Sequence, residues 1–220
     1  MFILFLEDSL ESTELECMKI AVFTNNKKKC EEINTIFSSL NLLVIPYYDV
    51  TGHEIDVVED GKTFEENALK KVIAMPHSDS VIFLADDSGI EVDVLGGKPG
   101  IYSARYAGKN ATGEQMCLKL LNDVGHAKNR SARFICVIAI RFPDGSLSVI
   151  SRDVSGTLTN KLQGNHGFGY DPIFIPHGYD CTFAELPIEK KHQISHRGQA
   201  LRESQKEISR YLLAQSSEKS

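Results

Sequence analysis

The chain has 220 residues, 42% hydrophobic and 25% charged, enough for one large domain or two small lobes with a real core. Residues 1–17 hold five acids and no base, so nearly all of the formal charge of −6 sits there and the body of the chain is close to neutral. That balance argues against a broad nucleic-acid surface, while leaving room for local basic clusters that meet one phosphorylated ligand.

The five cysteines are scattered, odd in number and without CxxC spacing, so neither a disulfide framework nor a zinc site is indicated and reduced thiols in a cytoplasm fit best. The opening run Met1 to Leu6 is apolar, but it is too short for a membrane span and lacks a basic leader. Residues 1–17 read as a disordered extension or a start-site artefact, and residues 18–215 as a single two-lobed unit.

In chain order, Lys19–Phe23 reads as a buried strand, followed by a helix with Ile33, Ile36, Phe37 and Leu40 on one face. Leu42 to Tyr48 is a second apolar run. Thr63-Phe64-Glu65-Glu66 has the capping-box form and opens a helix that buries Phe64, Ala68, Leu69 and Val72. The run Val81 to Ala85 predicts a buried strand ending at Asp86-Asp87-Ser88-Gly89. Thr112-Gly113-Glu114-Gln115 is another capping box, with Cys117, Leu120 and Leu121 inside its helix. The second half turns β-rich: Arg133–Phe142 and Leu147–Val154 form a hairpin about Pro143-Asp144-Gly145. A last helix runs from about Ala200 to Leu213. Alternating strands and helices with a later antiparallel element predict an α/β fold: a two-lobed mixed β-sheet with flanking helices and a central cleft.

Chemistry concentrates in the connections. Adjacent carboxylates at a strand end point to opposite faces, so one of Asp86 and Asp87 enters the cleft, where paired acids suit a hard cation such as Mg²⁺. A polar turn with solvated acids is the plainer reading of that segment alone. Thr24-Asn25-Asn26-Lys27-Lys28-Lys29, between a strand and a helix, is either a phosphate site using free backbone N–H groups or an N-capping turn with solvated lysines. Glu59 is a second metal carboxylate or a helix-dipole partner. Arg105, in the loop Pro99 to Gly108, meets a phosphate or ties the loop down by an ion pair. Glycines either side of Phe168 let an aromatic face lie open for base stacking; the alternative is a tight turn with Phe168 in the core. Ser195-His196-Arg197-Gly198, after Lys190 and Lys191, sets donors just ahead of the last helix. Donors aimed at a keto oxygen would accept hypoxanthine or xanthine and reject adenine, although a solvated basic helix start has the same sequence.

Six segments in order carry a resemblance to one family. They are Thr24-x-Asn26-x-x-Lys29, Thr63-Phe64-x-Glu66-Asn67-Ala68, Ala85-Asp86-Asp87-Ser88-Gly89, Pro99 to Gly108, Gly167-Phe168-Gly169-Tyr170-Asp171-Pro172 and Ser195-His196-Arg197-Gly198-x-Ala200. From about Lys19 to Leu212 the chain resembles the inosine/xanthosine triphosphate pyrophosphatases. The resemblance implies a Mg²⁺-dependent hydrolase that cuts a nucleoside triphosphate between its α- and β-phosphates, usually as a homodimer; cysteine usage, charge and the short apolar opening add the expectation of a cytoplasmic protein with no nucleic-acid or membrane partner. Carried over by position, Asp87 is the general base and a metal contact, Glu59 the second metal carboxylate and Ser88 a substrate contact. Thr24, Asn26 and Lys29 hold the triphosphate; Phe168, Gly169, Tyr170, Asp171, Lys191, His196 and Arg197 surround base and sugar. Two positions depart from the family pattern: Asn165-His166 stands where two glycines are common, and Asn25 where a glycine often follows Thr24. The competing readings are a nucleotide-binding module without turnover and a nucleic-acid-binding protein using Phe168 and the lysines.

Overall fold

The computed structural model describes residues 18–24, 27–40 and 42–218. The extension 1–17 and the turn residues Asn25 and Asn26 lie outside them. One six-stranded sheet in the order β2-β1-β3-β4-β5-β6 organises the described chain. β1 (Lys19–Phe23) lies parallel between β2 (Leu43–Pro46) and β3 (Val81–Val92). β4 (Ser131–Arg141), β5 (Leu147–Leu158) and β6 (Phe174–Pro176) continue from β3 in antiparallel order. The sheet is therefore mixed, as the sequence pattern implies.

β3 and β4 are long, and different cores form at their two ends. At the parallel end, Ile82, Leu84, Ile138 and Ile140 face α1 (Lys27–Phe37) and α6 (His196–Glu218), meeting Ile33, Phe37, Leu201 and Ile208. After the one-turn α2 (Tyr48–Thr51), the opposite face of the same strands, through Ala85, Val137 and Ala139, takes α3 (Phe64–Ile73) with Phe64, Ala68 and Val72. At the antiparallel end Ile90, Val92 and Phe134 pack with Cys117 and Leu120 of α4 (Gly113–Val124) and with Ile173, Phe174 and Phe183. Each helix is held by its apolar stripe on the sheet, and each end of the sheet gains a separate core.

Three expectations need correction. The Asp86-Asp87 pair does not end a strand, because β3 runs on to Val92. What ends there is the neighbour: Phe23, the last residue of β1, pairs with Ala85, so the acids lie beyond the β1 pairing, buried against side chains rather than against a second strand on that side. Secondly, His196 and Arg197 do not precede the last helix but form its first turn, after the short α5 (Ile188–Ile194). Thirdly, the box at Thr63 is only half formed. Thr63 caps the Glu66 N–H, but the Glu66 carboxylate accepts from the Lys62 N–H, whereas Thr112 and Gln115 satisfy each other fully.

Candidate active site

Successive residues of β3 alternate faces, so Asp86 and Ser88 look toward α1 and α6, while Asp87 looks toward α3. Asp86, only 2% exposed, is held by three side chains: Lys29 Nζ at 2.9 Å, Arg197 Nε at 3.3 Å and Ser88 Oγ at 3.2 Å. Burial alone would raise its pKa, but Lys29, Arg197 and Lys71 outweigh it and hold the carboxyl well below the ordinary range. Asp87 accepts from Asn67 Nδ2 at 3.2 Å and Lys71 Nζ at 3.3 Å, both from α3. Lys71 also reaches Glu59 Oε1 at 3.0 Å and the Asp86 carbonyl at 3.1 Å. Here burial dominates and, with Glu59 nearby, pushes the Asp87 carboxyl above its usual pKa against the pull of Lys71. Two adjacent carboxylates thus occupy opposite electrostatic environments.

Ser195-His196-Arg197-Gly198 has a local reason for each position. The Ser195 hydroxyl accepts from the Gly198 N–H at 3.1 Å, capping α6. His196 and Arg197 then project from the first turn toward the cleft. A Cβ on Gly198 would stand 1.8 Å from the His192 carbonyl of α5, so only glycine lets the two helices meet. Arg197 spans the site: Nη2 donates to Ser88 Oγ at 2.8 Å, Nη1 to Glu32 Oε2 at 3.1 Å, and its guanidinium lies 5.2 Å from the Phe168 ring centre. His196 stacks on Phe134 at 4.6 Å and 2°, with Nδ1 buried and unpartnered in the described structure. Burial, with Arg197 and Lys191 beside it, keeps its pKa well below the usual imidazole value, so the ring is neutral.

The loop through Phe168 is built on Asp171. Its carboxylate accepts from the Phe168 N–H and from Lys191 Nζ, both at 2.7 Å. Gly167 has φ of 76°, and a Cβ there would lie 2.2 Å from Asp171 Oδ2, so glycine is required twice over. Phe168 is half-buried rather than core, and Lys191 Nζ lies 4.7 Å from its ring centre. Glu32 completes the arrangement, 3.6 Å from Lys191 and 3.1 Å from Arg197. Three carboxylates (Glu32, Asp86, Asp171) thus face three cations (Lys29, Lys191, Arg197), a balanced network of the kind that burial of charge demands.

Two adjoining hollows result. One of about 310 Å³ contains Phe168 to Asp171, Lys191, His196, Arg197 and Ser88. The other, about 530 Å³, contains Thr24, Tyr47, Glu59, Lys71 and Asp86. Lys29 and Ala104 belong to both. Of the residues singled out from the sequence, the two hollows bring together Thr24, Lys29, Glu59, Ser88, Phe168, Gly169, Tyr170, Asp171, Lys191, His196 and Arg197. Asp86, rather than Asp87, lines the hollow itself; Asp87 is reached through Lys71 and Glu59. Asn26 falls outside the described residues. Arg105 binds the Glu59 carbonyl at 3.3 Å, fixing the segment that carries that acid, while Lys190 turns away toward Tyr179. His166 is exposed and absent from both hollows.

Sequence reasoning missed Glu32 and Lys71. A signal existed for each. Glu32 follows Lys29 by three residues on one helix, and Lys71 follows Asn67 by four, so each pair shares a face. Asn67 and Lys71 also lie among the apolar positions of α3, where an unpaired lysine would be costly.

Comparison with known proteins agrees with this architecture. A model of the Ham1 family matches residues 20–207. The chain belongs to the Ham1 family. Curated Ham1 relatives include proteins named dITP/XTP pyrophosphatase from Oceanobacillus iheyensis and Desulforamulus reducens. The first is 43% identical over 190 residues, 86% of this chain and 96% of the relative. The second is 41% identical over 201 residues, 90% of this chain and 99% of the relative. Among solved structures, the Staphylococcus aureus Ham1 protein superposes with a TM-score of 0.76 at 41% identity, covering 87% of this chain and 98% of its own. A HAM1 protein from Coxiella burnetii gives 0.79 at 34% identity, covering 88% and 99%. The mixed sheet with flanking helices is thus the Ham1 fold.

Proposed function

We propose that this Ham1 protein hydrolyses non-canonical purine nucleoside triphosphates (ITP, dITP and XTP) to the monophosphate and pyrophosphate, removing deaminated purines from the nucleotide pool. The observation that carries the reading is the convergence of Lys191 and Arg197 on the half-buried Phe168 ring, with His196 in the same hollow, which adjoins a second one at Lys29. Phe168 offers a stacking face, and the charged donors suit the 6-keto oxygen of a deaminated base. The 6-amino group of adenine would oppose donor to donor and leave buried groups unpaired. Thr24 and Lys29, with Asn26 by family position, suit the triphosphate, and Ser88 lies between base and phosphate ends.

Glu59 and Asp87 fit Mg²⁺. Both are hard oxygen donors, both lie close enough together to meet the same Lys71 ammonium, and Mg²⁺ takes few carboxylates and completes its shell with water and phosphate. Bound there, it would neutralise phosphate charge and make a water molecule more acidic. Asp87 is the residue placed to accept a proton from an attacking water, and without a metal its burial makes it a stronger base than a solvated carboxylate. Asn67 fixes the Asp87 carboxylate by donating to Oδ2, leaving Oδ1 toward Lys71. Lys71 stays charged despite its burial, because Asp87, Glu59 and Asp86 raise its pKa, and it can offer that charge to a phosphate oxygen. Lys29, at the start of the first helix and lining both hollows, can likewise reach a phosphate oxygen. Family membership supports a homodimer, and four free thiols among the described residues suit a reducing cytoplasm. No helix among the described residues is long and apolar enough to cross a membrane.

The test is product analysis with ITP, XTP, GTP and ATP, each with and without Mg²⁺. Metal-dependent monophosphate and pyrophosphate from ITP and XTP are expected. Diphosphate with orthophosphate would overturn the cleavage position, and tight ITP binding without turnover would overturn the enzymatic reading.

A further inference from the structure

Hydrogen-bond donors alone leave one substrate ambiguity. Uracil, like hypoxanthine, presents a keto oxygen next to a ring N–H, so Lys191 and Arg197 cannot tell them apart by polarity. Uracil lacks the imidazole half of a purine, so a difference in ring size must be read by the shape of the hollow. Shape is read only if the walls keep their spacing.

One contact spans two walls of the hollow. The Tyr170 hydroxyl donates to the Ser103 backbone carbonyl at 2.8 Å, and Ser103 and Tyr170 both line the 310 Å³ hollow. Each end of this bridge is anchored to a different part of the fold. On one side, the Ile90 N–H of β3 donates to Ser103 Oγ at 2.9 Å, and that hydroxyl donates to the Gly100 carbonyl at 2.6 Å. The turn presses so closely on β3 that a Cβ on Gly89 would lie 2.5 Å from both Gly100 O and Ser103 Oγ. On the other side, the Cys117 thiol of α4 donates to the Gly169 carbonyl at 3.2 Å, and the Asp171 carboxylate holds the Phe168 N–H. Tyr170 itself is 4% exposed, with its hydroxyl already committed, so it has little left to offer a nucleotide directly.

We propose that Tyr170 is a positioning residue whose hydroxyl ties the 168–171 loop to the 100–105 turn, and that the resulting fixed width makes the site accept a purine and reject the smaller keto base of UTP. The proposal rests on the pyrophosphatase reading above. It assigns Tyr170 a role distinct from base contact: it acts through Phe168 and Ser103.

The test is Tyr170→Phe, which removes one oxygen and keeps the ring. In the variant the KM for ITP should rise about tenfold, the size expected for one buried hydrogen bond, with a smaller change in kcat. The ITP-to-UTP ratio of kcat/KM should fall at least tenfold in parallel. Hydrogen exchange, read on the same proteins, should quicken in both 100–105 and 168–171. An unchanged ITP-to-UTP ratio, or loosening of the 168–171 loop alone, would overturn the proposal. If the unaltered protein releases no pyrophosphate from ITP, the pyrophosphatase reading fails and the size-selection claim falls with it. The exchange data would then still decide whether the hydroxyl ties the two segments together.

Discussion

Glu32→Gln is the most informative perturbation of the charge network, because it deletes one charge while nearly preserving shape. The carboxylate lies 3.1 Å from Arg197 Nη1 and 3.6 Å from both Lys191 Nζ and His192 Nε2. Removing one partner of a buried ion pair costs about 3–5 kcal/mol when the other charge is left alone. Neither cation is left alone here, since Arg197 keeps Asp86 and Lys191 keeps Asp171 at 2.7 Å. The glutamine oxygen can also still accept from Arg197. The loss should therefore fall lower, at about 2–3 kcal/mol, chiefly from one uncompensated positive charge in a buried network. For a chain of this size that lowers Tm by roughly 4–12 °C. Thermal and urea unfolding at neutral pH measure it directly. A second readout separates network from packing: adding Lys191→Met to Glu32→Gln restores the charge balance, so the double variant should lose less than the sum of the single losses. A Tm drop under about 1 °C, or strict additivity in the cycle, would refute the claim that Glu32 balances the site's cations.

Asp87→Asn should lower kcat by roughly 10²–10⁴-fold while nucleotide affinity changes little, as steady-state rates and calorimetric titration would show; near-full turnover would remove Asp87 from the base role. Gly198→Ala should destabilise severely, since its Cβ meets the His192 carbonyl at 1.8 Å and α5 or α6 must shift; a melting curve close to the unaltered protein would contradict that packing. His196 supplies a pH prediction. Burial, then Arg197 and Lys191, lower its folded pKa, so the unfolded chain takes up a proton that the folded chain refuses as pH falls below 6.5. The stability due to neutral His196 is thus complete above 6.5 and lost below it, by up to about 1.4 kcal/mol per pH unit. Imidazole NMR should show no titration of His196 between about pH 7.5 and pH 5.5, and a midpoint near 6.5 would refute the assignment.

Local chemistry explains which parts of this protein could be read from its sequence. Apolar periodicity marked β1, α1, α3, α4 and the β4–β5 hairpin, because each buries a stripe whose spacing survives in one dimension. β6 escaped, since three residues are too few to show alternation. The acids at 86 and 87 looked like a strand end because polar residues rarely continue a buried strand. They continue one here because β1 stops at Phe23 and because Lys29, Arg197 and Lys71 neutralise what would otherwise be intolerable. Which carboxylate faces which helix follows from strand alternation, yet its pKa does not, because the decisive partners come from α1, α3 and α6. The same limit hid Tyr170. Its place in a glycine-rich loop suggested contact with a ligand, but its hydroxyl is satisfied by a backbone carbonyl 67 residues earlier. A backbone acceptor leaves no trace in side-chain identity, so a bond of this kind between two walls of a site cannot be read from a sequence motif, whatever else the residue touches.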